Sequence, residues 1–127
     1  RKIINAKESK KEKIEFWGSG NPKREFMHVD DASRGIKYLI DNNLSGKLIN
    51  ICWGEDHKIK EIIDICKKII GFDGEVIWDS SKPDGMMRKL QSPKILKDLG
   101  WEPSITLEDG LNKTINWFLA NRDNVRL

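Results

Sequence analysis

The sequence predicts a small α/β domain in which short strands are covered by helices, and three observations point there. Short apolar runs alternate with longer stretches of helical period, in the order strand, helix, strand, helix, strand and two short helices. Gly and Pro clusters punctuate the boundaries. The 127 residues are enough for one hydrophobic core and few for two. A hydrophobic share of 38% is ordinary for a globular chain and argues against wholesale disorder. The formal charge of +3, from 23 basic and 20 acidic residues, is small and mixed in sign. It permits anionic ligands and makes no case for nucleic acid. No segment approaches the roughly 20 apolar residues that cross a bilayer.

Residues Arg1 to Ala6 suit the last turns of a helix carrying Ile3 and Ile4, and Lys7 to Lys13 form a solvated loop or helix end. The chain opens within a helical stretch and without Met, as expected of a piece of a larger protein. Ile14 to Trp17 reads as a strand, stopped by Gly18-Ser19-Gly20-Asn21-Pro22. Phe26, Met27 and Val29 make a second extended run. Asp30 and Asp31 then cap a helix over Asp31 to Asn42, whose stripe is Ala32, Ile36, Leu39 and Ile40. Gly35 inside it costs about 1 kcal/mol against Ala, a loss tolerated for close packing. Asn43 to Lys47 is a turn, and Leu48, Ile49, Ile51 and Cys52 read as a strand.

Ile59, Ile62, Ile63, Cys66, Ile69 and Ile70 lie on one helical stripe ended by Gly71, and Ile65 widens it. Glu75 to Trp78 is a strand, and Asp79 to Lys89 is a loop turning at Pro83-Asp84-Gly85. A short helix over Pro93 to Leu99 follows, with Ser92 as cap and Gly100 as stop. Thr106 and Asp109 resemble a capping box for a last helix running to about Ala120 with Leu107, Leu111, Ile115 and Phe118 on its core face. The polar tail, Asn121 to Leu127, is expected to fray.

Few residues carry recognisable chemistry. Cys52 and Cys66 make neither a disulfide framework nor a metal pair, and read as reduced core thiols. Gly18-Ser19-Gly20 is no dinucleotide fingerprint, because the third glycine and the following helix are missing; a tight turn explains it. Trp17 beside Lys23 and Arg24 could stack a base or sugar and grip phosphate, or could be core and surface residues. His28 with Asp30 and Asp31 offers too few converging ligands for zinc and reads as structural. Lys82, Arg88 and Lys89 surround Asp84 on a loop after a strand end. They are either a solvated charge run or, with Arg24, a grip for a diphosphate. No nucleophile triad and no TyrxxxLys pair is present; Tyr38 is followed by Leu39, Ile40 and Asp41.

Trp17 to Asp31, WGSGNPKREFMHVDD, resembles the opening of the substrate domain in the GDP-L-fucose synthase family of extended short-chain dehydrogenases/reductases. Asp79 to Leu90, DSSKPDGMMRKL, resembles that family's SKPDG…RKL loop. LGWEPSITLEDGL and INWFL, between Leu99 and Leu119, resemble its C-terminal signature. Ile49 to Ile62, INICWGEDHKIKEI, is similar to the general pattern of reductases acting on nucleotide sugars. Met86-Met87 and Lys60 depart from commoner family choices.

The resemblance implies that residues 1–127 are the C-terminal substrate domain, with the NADP-binding Rossmann domain and its Tyr–Lys pair lying outside this chain. The implied reaction epimerises GDP-4-keto-6-deoxy-D-mannose at two carbons beside the ketone and reduces the ketone with NADPH, giving GDP-L-fucose. Carried over residue by residue, Trp17 and Arg24 match positions that contact the GDP-sugar. Lys2 aligns with a basic residue that reaches the substrate from the preceding helix, and Asp84 and Lys89 with loop positions near the nucleotide sugar. No residue here matches a catalytic, cofactor-binding or metal position. The implied partners are the GDP-sugar and the missing N-terminal domain, with homodimerisation common in the family; the expected compartment is the cytoplasm. Cut from its partner domain, the chain is expected to expose an apolar patch. Two alternatives stay open, an NAD-dependent nucleotide-sugar 4-epimerase fragment and a non-catalytic nucleotide-sugar binding module.

Overall fold

In the computed structural model, which describes residues 1–44 and 46–125, the order of elements is α1 (Lys2–Glu8), β1 (Lys13–Trp17), β2 (Lys23–Arg24), α2 (Val29–Asp41), β3 (His57–Lys58), α3 (Ile59–Ile70), β4 (Glu75–Asp79), β5 (Arg88–Lys89), α4 (Lys94–Asp98), α5 (Leu107–Ala120) and a 3-10 turn (Arg122–Asn124). β1 and β4 pair in parallel, from Lys13 opposite Glu75 to Trp17 opposite Asp79. Such a pair needs a long crossover, which α2 and α3 provide. Ile3 and Ala6 of α1, Ile14 of β1 and Phe72 are buried together, and Phe16, Ile63, Cys66, Ile70 and Val76 pack on them. The isoleucine stripe of α3 therefore covers this sheet as its period predicts. Among the described residues no helix is long and apolar enough to cross a membrane.

The second sheet is small and electrostatically unusual. β2 pairs antiparallel with β3 and parallel with β5, and every residue in the three strands is basic: Lys23, Arg24, His57, Lys58, Arg88 and Lys89. Like charges on neighbouring strands oppose pairing, so this sheet depends on counter-charges from outside it.

Several elements differ from the sequence reading. The extended run expected at Phe26 to Val29 is displaced to β2, and Val29 instead opens α2. The cap of α2 is His28, whose Nδ1 accepts the Asp30 N–H at 3.2 Å; Asp30 and Asp31 lie in the first turn. Leu48 to Cys52 forms no ladder, because no described strand lies beside it; Cys52 is buried while Leu48 is 93% exposed. α4 starts at Lys94, leaving Pro93 in the cap position, while the Ser92 hydroxyl accepts the Lys94 N–H at 3.4 Å. Thr106 does cap α5, accepting the Asp109 N–H at 3.2 Å and donating to the Asp109 carboxylate at 2.7 Å. The tail is tied down through Asn124 rather than frayed, because the Arg122 guanidinium donates to Glu8 at 2.8 Å and to Asn5 at 2.9 Å. Of the turn expected over Asn43 to Lys47, residue 45 lies outside the described residues, as do the last two residues of the tail.

α2 splits its apolar stripe: Ile36 and Ile40 are exposed, as is Val29, while Ala32 and Leu39 are half-buried and Asp31 and Gly35 face inward. A Cβ on Gly35 would come within 2.9 Å of Ile51 Cγ2 and 3.1 Å of the Trp101 ring, so glycine sets this close approach. Beside it Asp31 is fully buried, accepting the N–H groups of Ser104 at 2.9 Å and Ile105 at 2.8 Å. Backbone donors delivered to one carboxylate hold this side inward, leaving Ile36 and Ile40 uncovered.

Candidate functional site

A cleft of about 640 Å³ opens along the edge where β2 meets β5. One wall is cationic, made by Arg24, Arg88 and Lys89, while Met27, Ile51, Met86 and Leu90 supply apolar surface. Glu25, Cys52 and Gln91 complete the lining. The parallel register places Arg24 opposite Lys89, so a planar fork and a point charge sit on adjacent strands.

Asp56 supplies one counter-charge to the basic sheet. Its side chain is only 6% exposed and pairs with Arg88 Nε and, at 3.8 Å, with Lys23 Nζ. The Arg88 hydrogen bond, helped by the charges of Arg88, Lys23 and His57, holds the Asp56 carboxyl below its usual range against the opposing effect of desolvation. Among the described residues Arg24 and Lys89 form no salt bridge. They are the two cations of the cleft left to meet an anion. Arg24 Nη1 donates to the Lys23 carbonyl at 2.6 Å, which orients the guanidinium.

The two loops expected to converge do meet. Asp84 accepts the Ser19 N–H at 2.8 Å and the Ser19 hydroxyl at 2.6 Å. These two donors, the hydroxyl foremost, hold the Asp84 carboxyl below its ordinary value against desolvation. The next residue, Gly85, lies against Arg24: a Cβ there would be 3.6 Å from Nη2. Trp17 is 74% exposed at the end of β1, with the Lys82 ammonium 5.9 Å from its ring centre. Trp17, Asp84, Arg24 and Lys89 thus form a continuous series around the turn, although Trp17 and Asp84 lie outside the lining of the cleft itself. Lys2 is elsewhere. Its ammonium meets the Glu15 carbonyl and lies 4.8 Å from the Phe16 ring centre, in a different hollow lined with Asn5 and Lys13.

Two carboxylates the sequence reading passed over, Glu25 and Asp56, hold the site together. Glu25 follows Arg24 directly and binds the N–H groups of Gly54 at 2.6 Å and Gln91 at 3.2 Å. Neither had a local signal, since each stands among other charged residues and its partners are distant in sequence. Cys52, beside Glu25, has its thiol pushed up to about 11, by burial first and then by the charge and hydrogen bond of Glu25. Burial also raises the Cys66 thiol, and both cysteines are free. The Tyr38 hydroxyl donates to the Leu99 carbonyl and so serves packing.

The NAD dependent epimerase/dehydratase family matches residues 1–52. GDP-L-fucose synthase 1 of Arabidopsis thaliana is 40% identical over 121 residues, covering 95% of this chain and 38% of that protein. A GDP-L-fucose synthetase from Naegleria fowleri, solved bound to NADP, superposes with a TM-score of 0.89 at 26% identity, over 99% of this chain and 40% of that one. A GDP-6-OMe-4-keto-L-xylo-heptose reductase from Campylobacter jejuni superposes with a TM-score of 0.80 at 34% identity, over 87% and 35%. The chain spans little more than a third of the length of the curated relatives it matches. Over this part of their length the chain is therefore similar to NAD-dependent epimerases/dehydratases and to GDP-sugar synthases and reductases. Among these proteins GDP-L-fucose synthases resemble it at about 40% identity over the part they share.

Proposed function

We propose that residues 1–127 form the nucleotide-sugar-binding domain of an NADPH-dependent epimerase/reductase that converts GDP-4-keto-6-deoxy-D-mannose to GDP-L-fucose. The observation that carries this reading is the pairing of Arg24 with Lys89 across β2 and β5, beside apolar surface and with the Asp84 turn against Arg24. A diphosphate needs several charge-assisted donors, and a guanidinium fork beside an ammonium supplies them. The apolar surface of Met27, Ile51 and Leu90 suits a base or sugar face. In this role Asp84 shapes the turn through Ser19, and Trp17 offers an exposed ring at its edge.

The domain binds and orients; it moves no proton. Binding energy gathered on the diphosphate serves to fix the ketosugar at a reacting centre elsewhere. NADPH supplies the hydride in the proposed reaction, and the residues here do not fit it. The turn at Gly18 and Gly20 leads into a two-residue strand instead of a helix N-terminus, so it lacks the geometry that receives a dinucleotide pyrophosphate. We therefore assign cofactor and proton-transfer groups to the remainder of the longer protein. The outward apolar face of α2 with Leu48 is assigned to contact with that remainder or with a second copy. Two free thiols suit a reducing, cytoplasmic compartment.

Calorimetric titration with GDP and with UDP tests the reading. Saturable heat with GDP, weaker with UDP and reduced in Arg24→Ala, is expected. The longer protein should oxidise NADPH with the GDP-ketosugar. Activity confined to a UDP- or dTDP-sugar would overturn the assignment.

A further inference from the structure

We propose that Glu25 is a positioning residue for the anion grip: its carboxylate fixes both walls of the cleft so that Arg24 and Lys89 face the same ligand. The inference rests on the function proposed above and names a residue it did not require. The contact between β2 and β5 comprises two residue pairs, Lys23 with Arg88 and Arg24 with Lys89, and all four side chains are positive. A ladder this short is marginal by itself, and facing like charges act to part it. Asp56 offsets the repulsion only at the first pair, through Lys23 and Arg88. Among the described residues no carboxylate pairs with Arg24 or Lys89, an arrangement that leaves both available and leaves their strands to be held by other means.

Glu25 holds them through backbone. One oxygen takes the Gln91 N–H, two residues beyond Lys89, and the other takes the Gly54 N–H, two residues beyond the lining residue Cys52. The two segments already approach closely behind the cleft, since a Cβ on Gly54 would lie 2.5 Å from the Pro93 ring. Both carboxylate oxygens face N–H donors, so the side chain acts as a brace within a cation-lined cleft. An amide in its place has one acceptor oxygen, and its NH2 group would confront the second donor.

The test compares the unaltered chain with Glu25→Gln and Glu25→Asp, in GDP titration calorimetry and in hydrogen exchange of the Gly54 and Gln91 amides. Glu25→Gln keeps the length and loses one anchor; Glu25→Asp keeps the charge and is too short to reach both, so either serves if the other does not fold. The expected result is GDP affinity about tenfold or more weaker, the loss of one charge-assisted bond, with faster exchange at one or both amides. A merely structural role would lower the melting temperature and leave the affinity of the folded protein unchanged. GDP binding by the unaltered chain with affinity within twofold in both variants would overturn the inference and leave the site reading intact. No GDP binding by the unaltered chain would overturn the site reading, and this inference with it.

Discussion

Replacing Asp31 with Asn probes the junction on which the chain's second half is hung. The Asp31 side chain is fully buried in the first turn of α2. Oδ2 accepts the Ser104 and Ile105 N–H groups, and Oδ1 accepts from Arg34 at 2.5 Å and the Ser104 hydroxyl at 3.4 Å. Arg34 also donates to the Glu102 carbonyl and stands over Trp101. An amide can keep its oxygen on the two backbone donors only by turning its NH2 group toward the guanidinium, donor against donor. Hydrogen bonds to a charged group contribute about 1.5–3 kcal/mol each. Arg34 is half exposed and recovers some hydration, so a loss near 2 kcal/mol is expected for Asp31→Asn. Asp31→Ala, which strands the backbone donors as well, should cost about 3–5 kcal/mol. Against a total stability of about 5–15 kcal/mol, the first variant stays folded and the second approaches the limit.

Acid adds an independent signature. Burial raises the Asp31 carboxyl, but the Arg34 hydrogen bond, the Ile105 and Ser104 N–H groups and the Arg34 charge together outweigh it and hold the carboxyl below its usual range. The unfolded carboxyl titrates near 3.9. The contribution is therefore complete above that value and is lost as pH falls through it toward the lower folded value. Urea unfolding of the unaltered chain and Asp31→Asn, at pH 7 and stepwise from pH 5 to pH 3, checks both. The two stability curves should converge on acidification. A difference under about 0.5 kcal/mol at pH 7, within the range of an ordinary surface change, or parallel curves down to pH 3, would refute the reasoning.

Other predictions concern the cleft, the thiols and the open face. Arg24→Ala should weaken GDP binding about 10- to 100-fold, and Lys89→Ala should weaken it less and mainly at low salt, both by calorimetry. In a Cys66→Ser variant, Ellman's reagent at pH 8 should label Cys52 only on denaturation, since its thiol is pushed up to about 11 and is buried; labelling of that native variant within minutes would contradict the structure. The isolated chain should self-associate through the apolar face of α2, and the double change Ile36→Glu with Ile40→Glu should reduce that association in light scattering. A monomer at 100 μM or so in the unaltered chain, by the same measurement, would show that this face needs no cover.

Legibility followed locality. The α3 stripe, the Thr106 cap and the β1 and β4 strands were readable because each is written within a few neighbouring residues, as period, cap or apolar run. The α2 stripe is legible as amphipathic, but which of its residues find cover is not, because periodicity shows that two faces differ and not which one finds a partner. Leu48 to Cys52 has strand composition, yet a strand exists only beside another strand. Trp17, Arg24, Asp84 and Lys89 were singled out by residue type and by resemblance. What joins them, Ser19 to Asp84 and Arg24 opposite Lys89, spans distances along the chain over which no spacing rule operates.

By itself, then, the sequence determined the class of domain, most helix positions, the reduced thiols and the family likeness, all of which depend on local patterns or matching words. Only the tertiary structure decided that six basic residues share one sheet, that Asp56 neutralises part of it while Glu25 braces the rest, and that Asp31 draws the polar side of α2 inward. The physical reason is that charge pairing and backbone donation act through space at about 3 Å. Their energies depend on burial and partners, which a linear chain acquires only when it folds.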